Sequence, residues 1–146
     1  MALFVILASV KRLLLIAFCF LLIFPLLPAQ EEEDAVYLPP VEFDYSYRSE
    51  VYAVIIDARV ARDYRRNRIK DALGIENTDK LSAFADTMDT ETPLYIYCDV
   101  ESRSRTVASI LAERGFSRLY ILEGGTREWK AAGLPLDKKR LRRKRR

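Results

Sequence analysis

The chain has 146 residues and a net charge of +3, from 24 basic and 21 acidic side chains. This length suits one globular domain with short extensions. The chain contains no histidine, which excludes Ser-His-Asp and Cys-His catalysis, the H-E-x-x-H zinc site and a histidine proton switch. Its five glycines match neither the dinucleotide-binding nor the P-loop pattern, which excludes those nucleotide-binding loops.

Residues 1–29 have the pattern of a secretory signal peptide, in which a basic flank precedes a short apolar run. We expect cleavage after Ala29 and therefore an exported protein, located in the periplasm or elsewhere outside the cytoplasm. The alternative is an uncleaved membrane anchor over residues 13–27. That run is shorter than the roughly 20 residues that a spanning helix needs, and Pro25 interrupts it. The sequence leaves the choice between cleavage and anchoring open.

Two further segments of unusual composition flank the central part of the chain. Residues 30–49 contain Pro39 and Pro40 among many Tyr and Glu residues, which predicts a linker or N-terminal extension. Residues 138–146 are almost entirely basic, and such a self-repelling block predicts a disordered tail. The tail suits an anionic membrane surface, although a merely solvated end is an equal alternative. Nucleic acid is not expected, because the tail has no interleaved aromatic residues.

Residues 50–137 alternate predicted strands with predicted helices and form the expected domain. The apolar runs at 51–56, 94–97 and 118–122 predict buried strands. Helical spacing and end signals predict helices over 60–66, 78–89, 103–114 and 126–132. This alternation predicts an α/β fold of three layers, with a central parallel sheet flanked by helices.

Cys98 is the first residue after a predicted strand, and it is the one cysteine left once the signal is removed. Loops at the carboxyl ends of parallel strands are where ligands bind in such folds. The helix that begins near Arg103 directs free N–H groups at this loop, and its dipole and the guanidinium both stabilise a thiolate. Cys98 is therefore a candidate nucleophile that needs no histidine. The alternative is an inert buried thiol.

The spacing within the loop distinguishes two kinds of chemistry. Cysteine loops that bind phosphate have five residues between the cysteine and the arginine, whereas four separate Cys98 from Arg103. The smaller ring fits a single sulfur atom better than a phosphate group.

The order of several short motifs resembles a single rhodanese-like domain over about residues 50–137. The motifs are Val-Ile-Ile-Asp-Ala-Arg at 54–59, Asp-Tyr at 63–64, Leu-Tyr-Ile-Tyr-Cys at 94–98, Arg-Ser at 103–104, Gly-Phe at 115–116, Leu-Glu-Gly-Gly at 122–125 and Trp-Lys-Ala-Ala-Gly-Leu-Pro at 129–135. The resemblance implies a five-stranded parallel sheet. It also implies a sulfurtransferase in which Cys98 accepts a sulfur atom as a persulfide and passes it to a thiol, cyanide or another nucleophile.

The same resemblance assigns roles around Cys98. Arg103 and the loop amides form the anion cradle, and a small sulfur donor and a thiol acceptor are the expected partners. No metal or organic cofactor is implied. The expected substrate-binding residues are Asp99, Val100, Glu101, Ser102, Ser104 and Arg59. Arg59 either projects to the same rim, where it helps to bind an anionic donor, or forms a surface ion pair with Asp63.

Two departures from the family pattern affect these expectations. Residues 67–72 lack the usual glycines, histidine and proline. Glu101 stands where the family often has glycine, and together with Asp99 it places negative charge beside the sulfur and repels thiosulfate. The alternative function is therefore a rhodanese-fold binding module at the cell envelope with weak or no catalysis.

Overall fold

The computed structural model describes residues 34–138, which form five strands and five helices. The strands are β1 (Val36–Leu38), β2 (Val54–Asp57), β3 (Leu73–Gly74), β4 (Leu94–Tyr97) and β5 (Leu119–Leu122). The helices are α1 (Pro40–Ser49), α2 (Ala61–Arg66), α3 (Thr78–Ala85), α4 (Ser102–Ala112) and α5 (Gly125–Ala131). All strand pairs are parallel, in the order β1-β5-β4-β2-β3.

The central strand β4 is buried on both faces, and successive side chains enter two different cores. Leu94 and Ile96 join the cluster on one face of the sheet, whereas Tyr95 and Tyr97 join the cluster on the other. This alternation follows from the two-residue period of a strand. A near-continuous apolar run is what a parallel strand between two helix layers requires. The three-layer α/β prediction is therefore confirmed.

Helices from distant parts of the chain complete the two cores. On one face, Leu81 of α3 and Leu111 of α4 are buried. On the other face, Phe43 of α1 packs edge-on against Trp129 of α5, with ring centroids 6.2 Å apart. The Trp129 indole also donates a hydrogen bond to the carbonyl of Pro135 at 3.1 Å. Trp129 thus anchors the last helix to the sheet.

Part of the segment predicted as a linker or N-terminal extension, residues 36–49 of 30–49, forms a strand and a helix that pack on the sheet. Strand β1 pairs with β5, with Tyr37 opposite Ile121, and Pro40 starts helix α1 at a position where its missing N–H group costs nothing. Phe43 is fully buried and contacts the ring of Tyr95. The helix is stable because it covers the sheet, a long-range contact that the proline-rich local sequence does not show.

Smaller differences concern the ends of elements. Strand β2 begins at Val54 rather than at residue 51, and α3 ends at Ala85 rather than at residue 89. The Asn77 side chain caps α3 by accepting a hydrogen bond from the N–H of Lys80 at 2.9 Å. The two-residue strand β3 was not predicted from the residues, because the segment before it lacks an apolar run.

The predicted signal peptide over 1–29, the alternative anchor over 13–27 and nearly all of the predicted basic tail lie outside the described residues. Within residues 34–138, no helix is long and apolar enough to cross a membrane.

Candidate active site

Cys98 lies directly after β4, where the chain turns toward the amino end of α4. The backbone carbonyl of Cys98 accepts a hydrogen bond from the N–H of Thr126 at 2.8 Å. The hydroxyl of Ser104, itself fully buried, lies 3.0 Å from the Cys98 sulfur and donates to it. The cysteine is only 2% exposed and belongs to the apolar cluster on one face of the sheet.

The loop also contains backbone N–H groups with no acceptor. Within the described part of the chain, no protein atom accepts a hydrogen bond from the N–H groups of residues 99–101, 103 and 104. The N–H of Ser102 bonds to the carbonyl of Val100 at 3.0 Å. Free N–H groups at the start of an 11-residue helix favour an anion, both as donors and through the helix dipole. These unpaired N–H groups are free to bond to an anion at the loop.

Glu101 is the residue before α4, and its φ is +72°. This value lies in the left-handed region, which glycine adopts at least cost. Its carboxylate accepts a hydrogen bond from the N–H of Gly124 and lies 3.8 Å from the Arg105 guanidinium. These contacts hold a strained backbone in place and partly compensate the negative charge. Glu101 therefore stands in a backbone conformation that glycine would adopt with less strain.

Asp99 and Val100 form the outer part of the loop and are both exposed. The Asp99 carboxylate accepts a hydrogen bond from the Thr126 hydroxyl at 3.1 Å and lies 3.8 Å from a terminal nitrogen of Arg59. These contacts fix the loop to α5 and to the segment after β2. In the structure, Asp99 thus holds the loop in position through its side chain.

Arg59 does not project to the rim as the sequence predicts. It is 2% exposed and forms a bidentate ion pair with the fully buried Asp57, with a shortest distance of 2.7 Å. Burial alone would lower the pKa of Arg59, but the hydrogen bonds and charge of Asp57 outweigh it and raise that pKa. Because Asp57 occupies its planar fork, Arg59 is unsuited to holding a substrate anion and instead supports the loop.

The hydroxyl of Tyr97 donates a further hydrogen bond to Asp57 at 2.6 Å and accepts one from the N–H of Ile69 at 3.1 Å. Asp57 also accepts a hydrogen bond from the N–H of Arg59 at 2.9 Å. The buried side-chain polar atoms of Asp57, Arg59 and Tyr97 all have hydrogen-bond partners, which is the condition for burying charge.

Arg103 lies in the first turn of α4 and is exposed, as is Ser102. Among residues 34–138, Arg103 has no ion-pair or hydrogen-bond partner for its side chain. Its charge is therefore free to meet an incoming anion at the helix start. Of the predicted side chains, Ser104 contacts the sulfur directly.

Gly125 is a further site residue, which the sequence shows only as part of the Leu-Glu-Gly-Gly motif at 122–125. A Cβ atom at Gly125 would lie 2.4 Å from the Cys98 carbonyl oxygen and 2.6 Å from that of Asp99, and φ is +59°. The Gly-Gly pair in the sequence was the available signal. Within the described residues, no group of three or more Cys, Asp or Glu side chains is arranged to hold a metal ion.

The model of the family described as the rhodanese-like domain matches residues 45–132, more than half of the chain. The chain belongs to the rhodanese-like family. The match includes Cys98, the whole of α4 and the Gly124-Gly125 turn.

Curated relatives within the rhodanese-like family agree with this assignment. The chain is 34% identical to thiosulfate sulfurtransferase GlpE of Actinobacillus succinogenes over 85 residues, which cover 58% of this chain and 76% of the relative. It is 37% identical to thiosulfate sulfurtransferase GlpE of Coxiella burnetii over 78 residues, covering 53% and 72% respectively.

Solved structures show the same fold. The rhodanese-like domain of the Alr3790 protein from Anabaena sp. superposes with a TM-score of 0.62 at 20% identity, over 75% of this chain and 85% of that one. The polysulfide-sulfur transferase from Wolinella succinogenes has a TM-score of 0.61 at 22% identity, over 77% of this chain and 85% of that one. The five-stranded parallel sheet that the sequence resemblance implies is confirmed.

Proposed function

We propose that this rhodanese-like chain is a sulfurtransferase that carries sulfur as a persulfide on Cys98. The observation that carries the proposal is the position of the Cys98 sulfur, which accepts the Ser104 hydroxyl at 3.0 Å below a loop of unpaired N–H groups. Relatives named thiosulfate sulfurtransferase at 34% and 37% identity support the same reaction class.

In the first half-reaction, the Cys98 thiolate attacks the outer sulfur of thiosulfate. A bond forms between the two sulfur atoms, the sulfur–sulfur bond of thiosulfate breaks, and sulfite leaves with the electron pair. A persulfide donor reacts in the same way and releases its thiolate. In the second half-reaction, cyanide or a thiolate attacks the outer sulfur of the Cys98 persulfide, and the Cys98 thiolate is released. No external oxidant or reductant is needed.

The residues of the loop have distinct roles in this scheme. Ser104 stabilises the anionic sulfur by a hydrogen bond, and the free amides of the loop stabilise the negative charge of the persulfide. The exposed Arg103 attracts the sulfonate end of the donor. The low exposure of Cys98 favours transfer of one sulfur atom over transfer of a larger group.

Formation of thiocyanate from thiosulfate and cyanide tests the proposal. We expect turnover by the wild type and none by Cys98→Ser. Arg103→Gln should raise the KM for thiosulfate about tenfold and change kcat less, because one charge-assisted contact of about 1.4 kcal/mol is lost. Lys80→Gln, which removes an exposed cation on α3, is the matched control and should leave both constants unchanged.

A different class of function has one specific observation in its favour. The Glu101 carboxylate is held at the loop, where it opposes an anionic donor. If the wild type transfers no sulfur from thiosulfate or from a persulfide donor, this site is a docking module and the catalytic proposal fails.

The location of the protein rests on sequence pattern alone, and we propose export through residues 1–29 with attachment of residues 138–146 to anionic lipid. Intact mass of the exported protein tests cleavage after Ala29. Sedimentation with anionic vesicles tests the tail, and the binding should weaken with salt and be lost on truncation after Asp137. Binding retained by the truncated chain would contradict the tail proposal.

A further inference from the structure

A cavity of about 510 Å³ lies beside the loop that holds Cys98. This volume is within the range of small-molecule sites. Five charged side chains line it, from the loop, from α4 and from the segment around the β5–α5 turn: Glu101, Arg105, Glu123, Arg127 and Glu128.

The cavity borders the sulfur-carrying loop, because the loop residue Glu101 and its partner Gly124 both line it. Glu101 of its lining belongs to the loop itself, and its carboxylate bonds to the N–H of Gly124, which also lines the cavity. The next residue, Gly125, lies so close to the backbone of Cys98 that a Cβ atom there would clash with it. A molecule in the cavity is therefore adjacent to the loop from which sulfur is transferred.

The charges in the cavity leave one carboxylate without a partner. Arg105 contacts Glu101 at 3.8 Å and donates to the Tyr37 hydroxyl at 3.0 Å, and Arg127 pairs with Glu128 at 3.2 Å. The exposed Glu123 carboxylate has no hydrogen-bond or ion-pair partner among residues 34–138. With three carboxylates against two guanidinium groups, the cavity favours a cation over an anion.

We infer that this cavity binds the acceptor of the second half-reaction and selects a small thiol that carries an ammonium group. The ammonium contacts Glu123 while the thiolate sulfur faces the loop. The acceptor thiolate attacks the outer sulfur of the Cys98 persulfide, a new sulfur–sulfur bond forms on the acceptor, and the Cys98 thiolate leaves. This inference rests on the proposed sulfurtransferase function and adds the class of acceptor.

The first test uses the full-length protein loaded with sulfur and three acceptors of similar size: cysteamine, 2-mercaptoethanol and 3-mercaptopropionate. Their reactivities differ intrinsically, so the measured quantity is the ratio of each unloading rate between the wild type and Glu123→Gln. We expect Glu123→Gln to slow unloading by cysteamine about threefold, to leave unloading by 2-mercaptoethanol unchanged and to speed unloading by 3-mercaptopropionate. Both rate changes should become smaller at high salt. Equal ratios for all three acceptors would overturn the inference.

Glu113→Gln is the matched control, because Glu113 is an exposed acid at the opposite end of α4. It should leave all three ratios at one. If Glu113→Gln slowed unloading by cysteamine as much as Glu123→Gln does, the cause would be the net charge of the protein. That result would also overturn the inference.

A second test needs no turnover and so separates this inference from the proposed function. The unloaded protein is titrated with 2-(methylthio)ethylamine and with 2-(methylthio)ethanol, which cannot accept sulfur, while backbone amide signals are followed by NMR. We expect saturable shifts at Glu123 and Gly124 with the amine, weaker ones with the alcohol, and loss of the difference in Glu123→Gln. The absence of shifts at these residues would overturn the inference even if Cys98 forms a persulfide. Failure of Cys98 to accept sulfur would instead overturn the proposed function.

Discussion

The hydroxyl of Ser104 lies 3.0 Å from the sulfur of Cys98, six residues earlier in the chain. Ser104 is fully buried in the first turn of α4, so its hydroxyl has a fixed position relative to the sulfur. This contact gives a thiolate a stable hydrogen-bond donor in a protein that has no histidine. It connects the fold to the proposed chemistry more directly than any charge on the loop.

Ser104→Ala should therefore slow persulfide formation about tenfold, because a hydrogen bond to a charged atom contributes about 1.5 kcal/mol. The measurement is the rate of sulfur loading from thiosulfate at fixed pH. Ser109→Ala, on the same helix, controls for the loss of a hydroxyl and should load at the wild-type rate. Equal rates for Ser104→Ala and the wild type would contradict the role of the hydroxyl.

Glu101→Gly should raise kcat/KM for thiosulfate about threefold, because it removes a partly exposed negative charge near the dianionic donor. Glu101→Gln separates charge from backbone, since it removes the charge but keeps a side chain at φ +72°. Similar gains in both variants would identify charge as the cause, and a gain in the glycine variant alone would identify backbone strain. An unchanged or lower rate in both would contradict the electrostatic interpretation.

Gly125→Ala should lower sulfur transfer by at least tenfold, because the new Cβ atom displaces the backbone of Cys98 and small misplacements at a reacting atom are costly. Gly133→Ala is the control. Gly133 also has positive φ, at +72°, but nothing lies within 4 Å of the added atom. Gly133→Ala should lose about 1 kcal/mol of stability from the strained backbone. Gly125→Ala should lose more, because its Cβ atom also clashes with the backbone of Cys98 and Asp99, and only Gly125→Ala should lose activity. Equal activity losses would indicate strain rather than contact with Cys98.

The free energy of unfolding should fall as pH rises above about 10, the ordinary pKa of tyrosine. Burial, reinforced by the nearby Asp57 carboxylate, raises the pKa of Tyr97 in the folded state. Tyr97 therefore stays neutral when folded but ionises when unfolded, so its contribution to stability is complete below pH 10 and is lost above it.

Tyr97→Phe should flatten that alkaline decline by up to about 1.4 kcal/mol per pH unit. It should also lower stability at neutral pH by about 2 kcal/mol, because the hydrogen bond to Asp57 is lost. Denaturant unfolding between pH 7 and 11 measures both effects. Tyr52→Phe, at a position 88% exposed, is the control and should change neither effect. An unaltered alkaline decline in Tyr97→Phe would contradict the assignment of that decline to Tyr97.

The central strands and the position of Cys98 could be predicted from the sequence because both depend on local patterns. The run from Leu94 to Tyr97 is apolar at every position, and the polar loop and helix start follow at once. Strand β1 and helix α1 could not be predicted in this way. Their stability comes from pairing with β5 and from burial of Phe43, neither of which appears in a proline-rich local sequence.

The ion pairs and hydrogen bonds of the site likewise depend on segments that are distant in the sequence, so local patterns could not predict them. Arg59 follows Asp57 by two residues, a spacing equally compatible with an exposed pair. Only the packing of Tyr97 and Asn67 from other segments makes the pair buried and fully hydrogen-bonded. Glu101 stands at a loop position where the family often has glycine, but its bond to Gly124 depends on a turn 23 residues away.

Intact mass spectrometry of the protein treated with thiosulfate tests the central claim most directly. The wild type should gain the mass of one sulfur atom, located on Cys98 by peptide mapping, and lose it again on addition of cyanide. Cys98→Ser should gain none. An unmodified wild type, or a cyanide-labile sulfur that persists in Cys98→Ser, would contradict persulfide formation at Cys98.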